Sequence, residues 1–438
     1  MVTRVYCSPV EDKLSQASAD RVVRLFGSAS EHYHGIGNQV RQDFKRLSHT
    51  VPITAFDFLS IALSVVAADE FVNRHDHGDD GFGRDLDLTV AIAAPERWQN
   101  KLQKLKSLLN FLTGDTWNIN LVPGGFTPPQ SKARRLLSDK IQVQDRNLVC
   151  LFSGGLDSLI GAVNALNDDQ LKPLLVSRAS TGDNKFQQDL LEKLDNPIHF
   201  HTNDAPRLAL NSDIEKEGST RARSLLFVAL AVCCAAAISN ANEGANIPVW
   251  IPENGVIALN APLTPRRIGA SSTRTTHPHY IGLLNEILAD FGLNVRLENP
   301  YLFETKGEMI ERSPYKHIIA PLIEHSVSCG KYNRNNQQCG VCVPCLIRRS
   351  ANFAAGFDEP DGLYVHEDIA SMVGRDSSTE EDVYAVRYAL ASLSQRDMAS
   401  WVLKTGPLSP TAVERHANVA WRGLNELRDL FDYWGVPK

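Results

Sequence analysis

The stretch Leu148-Val-Cys-Leu-Phe-Ser-Gly-Gly-Leu-Asp-Ser158 constrains the fold most. Leu148 to Phe152 is an unbroken apolar run, as a parallel strand buried on both faces requires. Ser153-Gly154-Gly155 permits a tight turn, and Leu156-Asp157-Ser158 then opens a helical pattern with Leu159, Ile160 and Val163 on one side. A strand that passes through glycines and hydroxyls into a helix aims backbone N–H groups at open space, reinforced by the helix dipole. That arrangement is a phosphate site. It is not the familiar P-loop, because no G-x-x-x-x-G-K-[ST] occurs in the chain.

From Asn147 onward, strand and helix patterns alternate. Strands are expected at Leu148–Phe152, Pro173–Val176, Ile198–Phe200, Ile247–Ile251 and Asn294–Leu297, with helices at Asp157–Leu166, Phe186–Leu194, Ser219–Ser239 and His279–Phe291. Such alternation implies a parallel sheet covered by helices on both faces. Ligands of these sheets bind outside the carboxyl ends of the strands, where Ser153 to Ser158 would sit.

Residues 1–145 read as a separate unit of mixed α/β order. Val2–Tyr6, Asp85–Ile92 and Trp117–Val122 have strand patterns; Ala55–Val72 and Pro95–Leu112 have helical ones, and a polar stretch follows the first strand. Pro123-Gly-Gly-Phe-Thr-Pro-Pro-Gln130 is a turn-rich linker. His75-Asp-His77 and Gly81-Phe-Gly83 lack the spacing of a known metal or nucleotide site and read as a polar loop. The tail from about Asp361 reads as helices at Ala385–Leu393, Ala399–Leu403 and Val413–Trp434.

At 438 residues the chain exceeds what one hydrophobic core usually supports, so two or three domains are expected. A net charge of −6 argues against a dedicated duplex-binding surface, although a local basic groove stays open. The basic clusters Lys132–Arg135 and Arg348–Arg349 read as solvated faces or helix ends. The N-terminus has no apolar secretory segment, and Leu225–Ile238 is too short an apolar window to cross a bilayer. No membrane association and a cytoplasmic location are expected.

Of the eight cysteines, Cys329, Cys339, Cys342 and Cys345 crowd into one polar loop with the spacing C-x9-C-x2-C-x2-C. Four thiolates suit tetrahedral zinc, and four protein ligands would close its coordination sphere, which makes the metal structural. An iron–sulfur cluster or a redox-active C-x2-C pair is the alternative.

The S-G-G-x-D-S form resembles the PP-loop of the N-type ATP pyrophosphatases. Taken with the four-cysteine spacing, it resembles the QueC (7-cyano-7-deazaguanine synthase) family over roughly Asn147 to Phe357. Arg223-Ser-Leu-Leu-Phe resembles that family's R-N-x-x-F helix start, and Thr305-Lys306-Gly-Glu-Met its T-K-x-E-[IM] segment. The resemblance covers the middle of what reads as a three-part chain, since that family lacks the flanking parts. A mixed α/β domain (1–145) would precede a PP-loop, adenine nucleotide α-hydrolase-like domain (146–360) with a zinc knuckle at 329–345, and a helical extension (361–438) would follow. It implies ATP-dependent activation of the carboxylate of 7-carboxy-7-deazaguanine, with magnesium, followed by attack of ammonia to give an amide and then a nitrile. Ser153, Gly154, Gly155, Leu156, Asp157, Ser158 and Arg223 would bind ATP, with Asp157, Lys306 and Arg274 catalytic.

Two departures from that family stand out. Ser177-Arg-Ala-Ser-Thr-Gly-Asp-Asn-Lys185 replaces its aromatic-Gly-Gln-Arg-His segment, and the loop from Glu253 to Pro278 is longer than its counterpart. The hydroxyls and arginines of that loop suit an acid-binding site, with Arg267, Thr273, Arg274 and His277 as the substrate residues and Arg274 as a bidentate clamp. The extra flanks resemble the QueC-like proteins of anti-phage operons, such as QatC of the Qat system and those of CBASS operons. That likeness implies a partner protein from the same operon, whose amine could take the activated base. The competing expectations are a PP-loop enzyme that adenylates or thiolates tRNA, and a non-catalytic ATP-binding scaffold of a defence complex.

Overall fold

Short apolar strands and two long apolar helices dominate the computed structural model of the chain. It describes residues 2–78, 82–130, 140–179, 184–263, 274–330, 332, 337–359, 361–362, 364–374 and 380–436. Among these residues there are two five-stranded sheets, and every strand pairing within them is parallel. The first holds β1 (Val2–Ser8), β2 (Arg21–Leu25), β3 (His34–Ile36), β4 (Asp85–Ile92) and β5 (Thr116–Pro123), in the order β3-β2-β1-β4-β5. The second holds β6 (Leu148–Leu151), β7 (Pro173–Ala179), β8 (His199–Asn203), β9 (Ile247–Trp250) and β10 (Val295–Glu298), in the order β10-β9-β6-β7-β8. Read from the other edge, that is the same order. In each sheet the first strand is central, the second and third step outward on one side, and the fourth and fifth on the other. Each sheet therefore reverses between its first and fourth strands, where a crevice opens in folds of this kind.

The expected mixed order of the first unit is thus an all-parallel sheet. Its β2 and β3 lie inside what reads as a polar stretch, because β2 carries arginine at both Arg21 and Arg24 and β3 has only three residues. The Pro95–Leu112 helix also divides. Pro95–Lys101 is a 3-10 turn and Leu102–Thr113 is α-helical, closed by Gly114 in the left-handed region at φ 74°.

The crossover from third to fourth strand is a long helix in both sheets: Ile53–Phe71 in the first, Arg223–Ala241 in the second. Every residue from Thr54 to Asp69 is buried. The two helices pack on each other, with the Cys233 thiol 3.2 Å from the Ala55 carbonyl. Neither helix has a polar face, so each must be covered all round. One hydrophobic core supplies that cover and joins Val5, Phe58 and Leu88 of the first half to Val149, Phe200 and Leu230 of the second. Arg223–Ala241 is long and apolar enough to span a membrane by composition, with mean hydropathy 2.1, but 78% of that window is buried in the fold, as a core helix is.

A buried ion cluster ties the halves together. The Arg84 Nη2 donates to Asp69 and Asp115 at 2.6 Å each, and the Arg74 Nη2 donates to the same two carboxylates at 2.9 and 2.8 Å. Two guanidiniums against two carboxylates leave no uncompensated charge in the interior. From this cluster, Arg74 reaches across to the Glu217 carboxylate (2.8 Å, from its backbone N–H) and the Ser219 hydroxyl (2.8 Å), while Asp69 accepts the Ala222 N–H at 2.8 Å. The segment that enters the Arg223–Ala241 helix is thereby held by the first half of the chain.

A second core packs the helices Glu380–Ser392, Met398–Leu403 and Val413–Tyr433 around the four clustered cysteines. Arg348 and Arg349, expected at a solvated face, are both fully buried. Arg348 pairs with Asp361 and Arg349 with Glu359, and their remaining donors go to carbonyls at Ile323, Ser326, Gly340 and Glu367. Lys132–Arg135 lies outside the described residues. Asp115→Ala should strand both Arg74 and Arg84 and cost about 3–5 kcal/mol in urea unfolding; a loss under about 1 kcal/mol would show the cluster to be dispensable.

Candidate functional site

The crevice of the second sheet lies between β6 and β9, and the loop Ser153–Ser158 leaves β6 on that side. Its geometry follows from small residues and hydroxyls. Gly154 has φ 83°, and a Cβ there would come within 2.5 Å of the Phe186 ring. No other residue fits without displacing that ring. The Ser158 hydroxyl accepts from the Ser153 N–H at 3.2 Å and donates to the Gly155 carbonyl at 2.9 Å, which holds the loop open. Gly155 caps the Leu156–Asn167 helix without a side-chain hydrogen bond, so the first amides of that helix lack a side-chain cap. The Leu156 side chain is fully buried and can offer a ligand only its backbone.

Beside this loop is a cavity of about 430 Å³, lined by Ser153 and Ser158, Arg178 and Gln187, Ser219 and Thr220, Arg223 and Ser224, Pro252 and Glu253, and Thr275 and Thr276. Gly161 closes the crevice floor: a Cβ there would meet Pro252 at 2.3 Å, so the glycine lets the Leu156–Asn167 helix press against the end of β9.

Asp157 and Lys306, far apart in sequence, meet here at 3.3 Å. Thr305 and Glu308 make a reciprocal capping box at the start of the Lys306–Glu311 helix, and this local chemistry sets Lys306 at its first position. Asn254 donates to the same Asp157 oxygen at 2.9 Å while its own oxygen caps the Gly255–Leu259 helix. Burial alone would raise the Asp157 carboxyl, but the charge of Lys306 and hydrogen bonds from Glu253 and Asn254 hold it below the usual carboxylate value. Burial, together with Asp157 itself, pushes Glu253 well above its usual value. The two neighbouring carboxyls are thus pushed in opposite directions. The other Asp157 oxygen has no hydrogen-bond partner among the described residues.

Glu253 and Asn254 are site residues that the sequence reading passed over as part of a polar loop. The available signal was their place directly after the β9 run, at the carboxyl end of a strand. Arg223 lines the cavity, whereas Asp157 and Lys306 are not among its lining residues. Arg274 and His277 do not line it. Arg274 donates to the Phe111 carbonyl at 2.8 Å and stacks over the Phe111 ring, and His277 caps the Pro278–Asp290 helix and meets the Thr405 hydroxyl at 2.9 Å. A buried N-cap is a structural task, and Thr275 and Thr276 reach the cavity in their place. Arg267 and Thr273 lie outside the described residues.

The sulfurs of Cys329, Cys339, Cys342 and Cys345 all lie within 4.8 Å of one another and are buried. The Cys339–Cys345 and Cys329–Cys342 separations are both 3.9 Å, close to the roughly 3.8 Å edge of a tetrahedron with 2.3 Å metal–sulfur bonds. Backbone N–H groups of Cys339 and Cys342 donate to the sulfurs of Cys329 and Cys339, as thiolate ligands require. The cluster could hold a metal ion such as zinc. It touches the loop through Val327, whose N–H donates to the Gly154 carbonyl at 3.0 Å. His75–Asp–His77 forms no such group: His75 is exposed beside Asp76, and His77 faces Thr3 and Arg21.

The chain matches no protein-family model and no curated protein sequence.

Cys342→Ser combined with Cys345→Ser should abolish bound metal in elemental analysis and lower the melting temperature; metal retained by that variant would overturn the cluster assignment. A separate pH test concerns three buried histidines. Burial lowers His34 and His416 to about 4 and His277 to about 3. An unfolded chain takes these protons first, near pH 6.5. Their stabilisation is therefore complete above that pH and is lost as pH falls toward about 4. Thermal melts should be flat from pH 8 to 7 and then decline, and His416→Gln should soften the decline.

Proposed function

We propose that this chain is an ATP-dependent C–N ligase of the QueC-like kind, acting on the carboxylate of a 7-deazaguanine acid. The observation that carries this reading is the buried Asp157–Lys306 pair at the Ser153–Ser158 loop, whose Ser153 and Ser158 line a cavity at the end of a parallel sheet. Backbone amides and hydroxyls of the loop hold the β and γ phosphates. A substrate carboxylate oxygen attacks the α phosphate, the bond to the bridging oxygen breaks, and pyrophosphate leaves. Lys306 and Arg223 offset the charge that develops at the α phosphate. Asp157 is the carboxylate that would hold magnesium, whose charge would neutralise the phosphates.

The acyl adenylate then meets an amine. Nitrogen attacks the acyl carbon, AMP leaves with the acyl oxygen bond, and the nitrogen proton passes to a nearby base. With ammonia the product is an amide, which a second ATP-driven dehydration would convert to the nitrile. With a partner protein's amine the product is a conjugate, consistent with a chain that carries far more than a small-molecule enzyme needs and with a role in anti-phage defence. The four-cysteine cluster holds structural zinc. Eight free cysteines, none in a disulfide, suit the reducing cytoplasm.

The thiolating alternative needs a reactive thiol. The cysteines outside the cluster are buried, and burial pushes the Cys7 and Cys150 thiols up to about 12 and raises Cys233 and Cys234 further. Incubation with magnesium-ATP, 7-carboxy-7-deazaguanine and ammonia or candidate partner proteins should yield AMP with an amide, nitrile or mass-shifted partner. Asp157→Ala should lower that turnover at least about a hundredfold. Absence of AMP and of every product from the wild type would sink the ligase reading, and full activity of the variant would remove Asp157 from it.

A further inference from the structure

Arg178, at the carboxyl-terminal end of β7, belongs to a segment in which the chain departs from the family it resembles. Its side chain is buried and lines the cavity. The Nε lies 2.7 and 2.8 Å from the two oxygens of Asp204, a fully buried carboxylate just past the end of β8. This contact fixes the guanidinium plane, because one donor held between two acceptors leaves the fork no freedom to rotate. The Nη1 is buried and has no hydrogen-bond partner among the described residues. An unfilled guanidinium donor in such a place costs stability unless something fills it.

A second unfilled group faces the same space. Gln187 is buried, and its Nε2 donates to the Ser153 carbonyl at 3.0 Å and reaches the Arg178 carbonyl at 3.4 Å. Two carbonyls on one side settle which end of the amide is nitrogen. Its Oε1 is consequently turned away from them and has no donor among the described residues. One donor and one acceptor, each locked by its other bonds, describe a ligand with an acidic oxygen and an N–H or O–H group.

We infer that Arg178, positioned by Asp204, anchors an acidic oxygen of the ligand in this cavity, and that Gln187 accepts a hydrogen bond from the same ligand. The anchored oxygen is that of a carboxylate or a phosphate. The inference deepens the ligase reading, since a deazaguanine acid offers both a carboxylate and ring N–H groups, while ATP offers phosphates and an amino group. Arg178 thus takes the clamp role expected of Arg274.

The test is equilibrium binding to the full chain with three separate probes: magnesium-ATP, inorganic pyrophosphate and 7-carboxy-7-deazaguanine. Arg178→Gln alone would leave Asp204 buried and unpaired, so the working variant is Arg178→Gln with Asp204→Asn, which removes both charges together. Its melting temperature serves as the folding check, and Arg178→Lys provides a second, charge-conserving variant. Loss of one charge-assisted hydrogen bond should weaken the anchored ligand by about 10–100-fold. Weakening confined to the acid identifies a carboxylate; weakening of ATP and pyrophosphate identifies a phosphate; both outcomes support the anchor. Arg178→Lys should fall between, because an ammonium cannot reproduce the fixed fork. Unchanged binding of all three probes in both variants overturns the inference and leaves Arg178–Asp204 as a core ion pair. A wild type that binds ATP but not the acid sinks the deazaguanine reading while the phosphate arm still decides Arg178. A wild type that binds none of the probes overturns both.

Discussion

Two helices without a polar face govern how this chain can be assembled. Ile53–Phe71 and Arg223–Ala241 are each buried almost all round, and each lies against a sheet of its own half and against the other helix. Taking either sheet away would expose a helix flank of leucine, isoleucine, phenylalanine and alanine to water, at about 25 cal/mol for every Å² uncovered. The first 145 residues are therefore bound into the same core as the site, whatever else they do. The matched strand orders give this packing a simple geometry, with the equivalent crossover helix of each sheet facing its counterpart.

Polar chemistry then places the working parts on that frame. The first half contributes no side chain to the cavity lining, but the Asp69–Arg74–Arg84–Asp115 cluster grips Glu217, Ser219 and Ala222, which lead into the cavity wall. From the other end of the chain, Glu308 accepts from Arg422 at 2.8 Å, and the Thr305 hydroxyl bonds to Glu426. These contacts brace the turn that presents Lys306 to Asp157. The end of β4, the first-sheet counterpart of β9, is occupied by the chain itself. The Asp57 carboxylate takes the Ala93 and Ala94 N–H groups there, at 2.8 and 3.0 Å.

Much of the second sheet was readable from sequence, because fully buried parallel strands such as Leu148–Leu151 leave continuous apolar runs bounded by turns. The loop, its helix and the cysteine spacing were readable for a similar reason, since local spacing alone carries their chemistry. Other features depend on partners distant in sequence, and single-segment patterns do not encode them. Arg348 and Arg349 look solvated until Asp361 and Glu359 fold over them, and β2 and β3 look like loop until β1 pairs beside them. Loop composition draws attention to Arg274 and not to Arg178, while only the fold shows that Arg178 lines the cavity.

The link between Val327 and Gly154 has a consequence for biosynthesis. The Ser153–Ser158 loop leaves the ribosome long before Val327, Lys306 and Glu426, which brace it or face it. A nascent chain that has completed the second sheet still lacks the ammonium opposite Asp157 and the tail that steadies it. The brace on Lys306 can close only when translation is nearly finished, so truncated products of this chain would circulate with the Asp157–Lys306 pair unbraced.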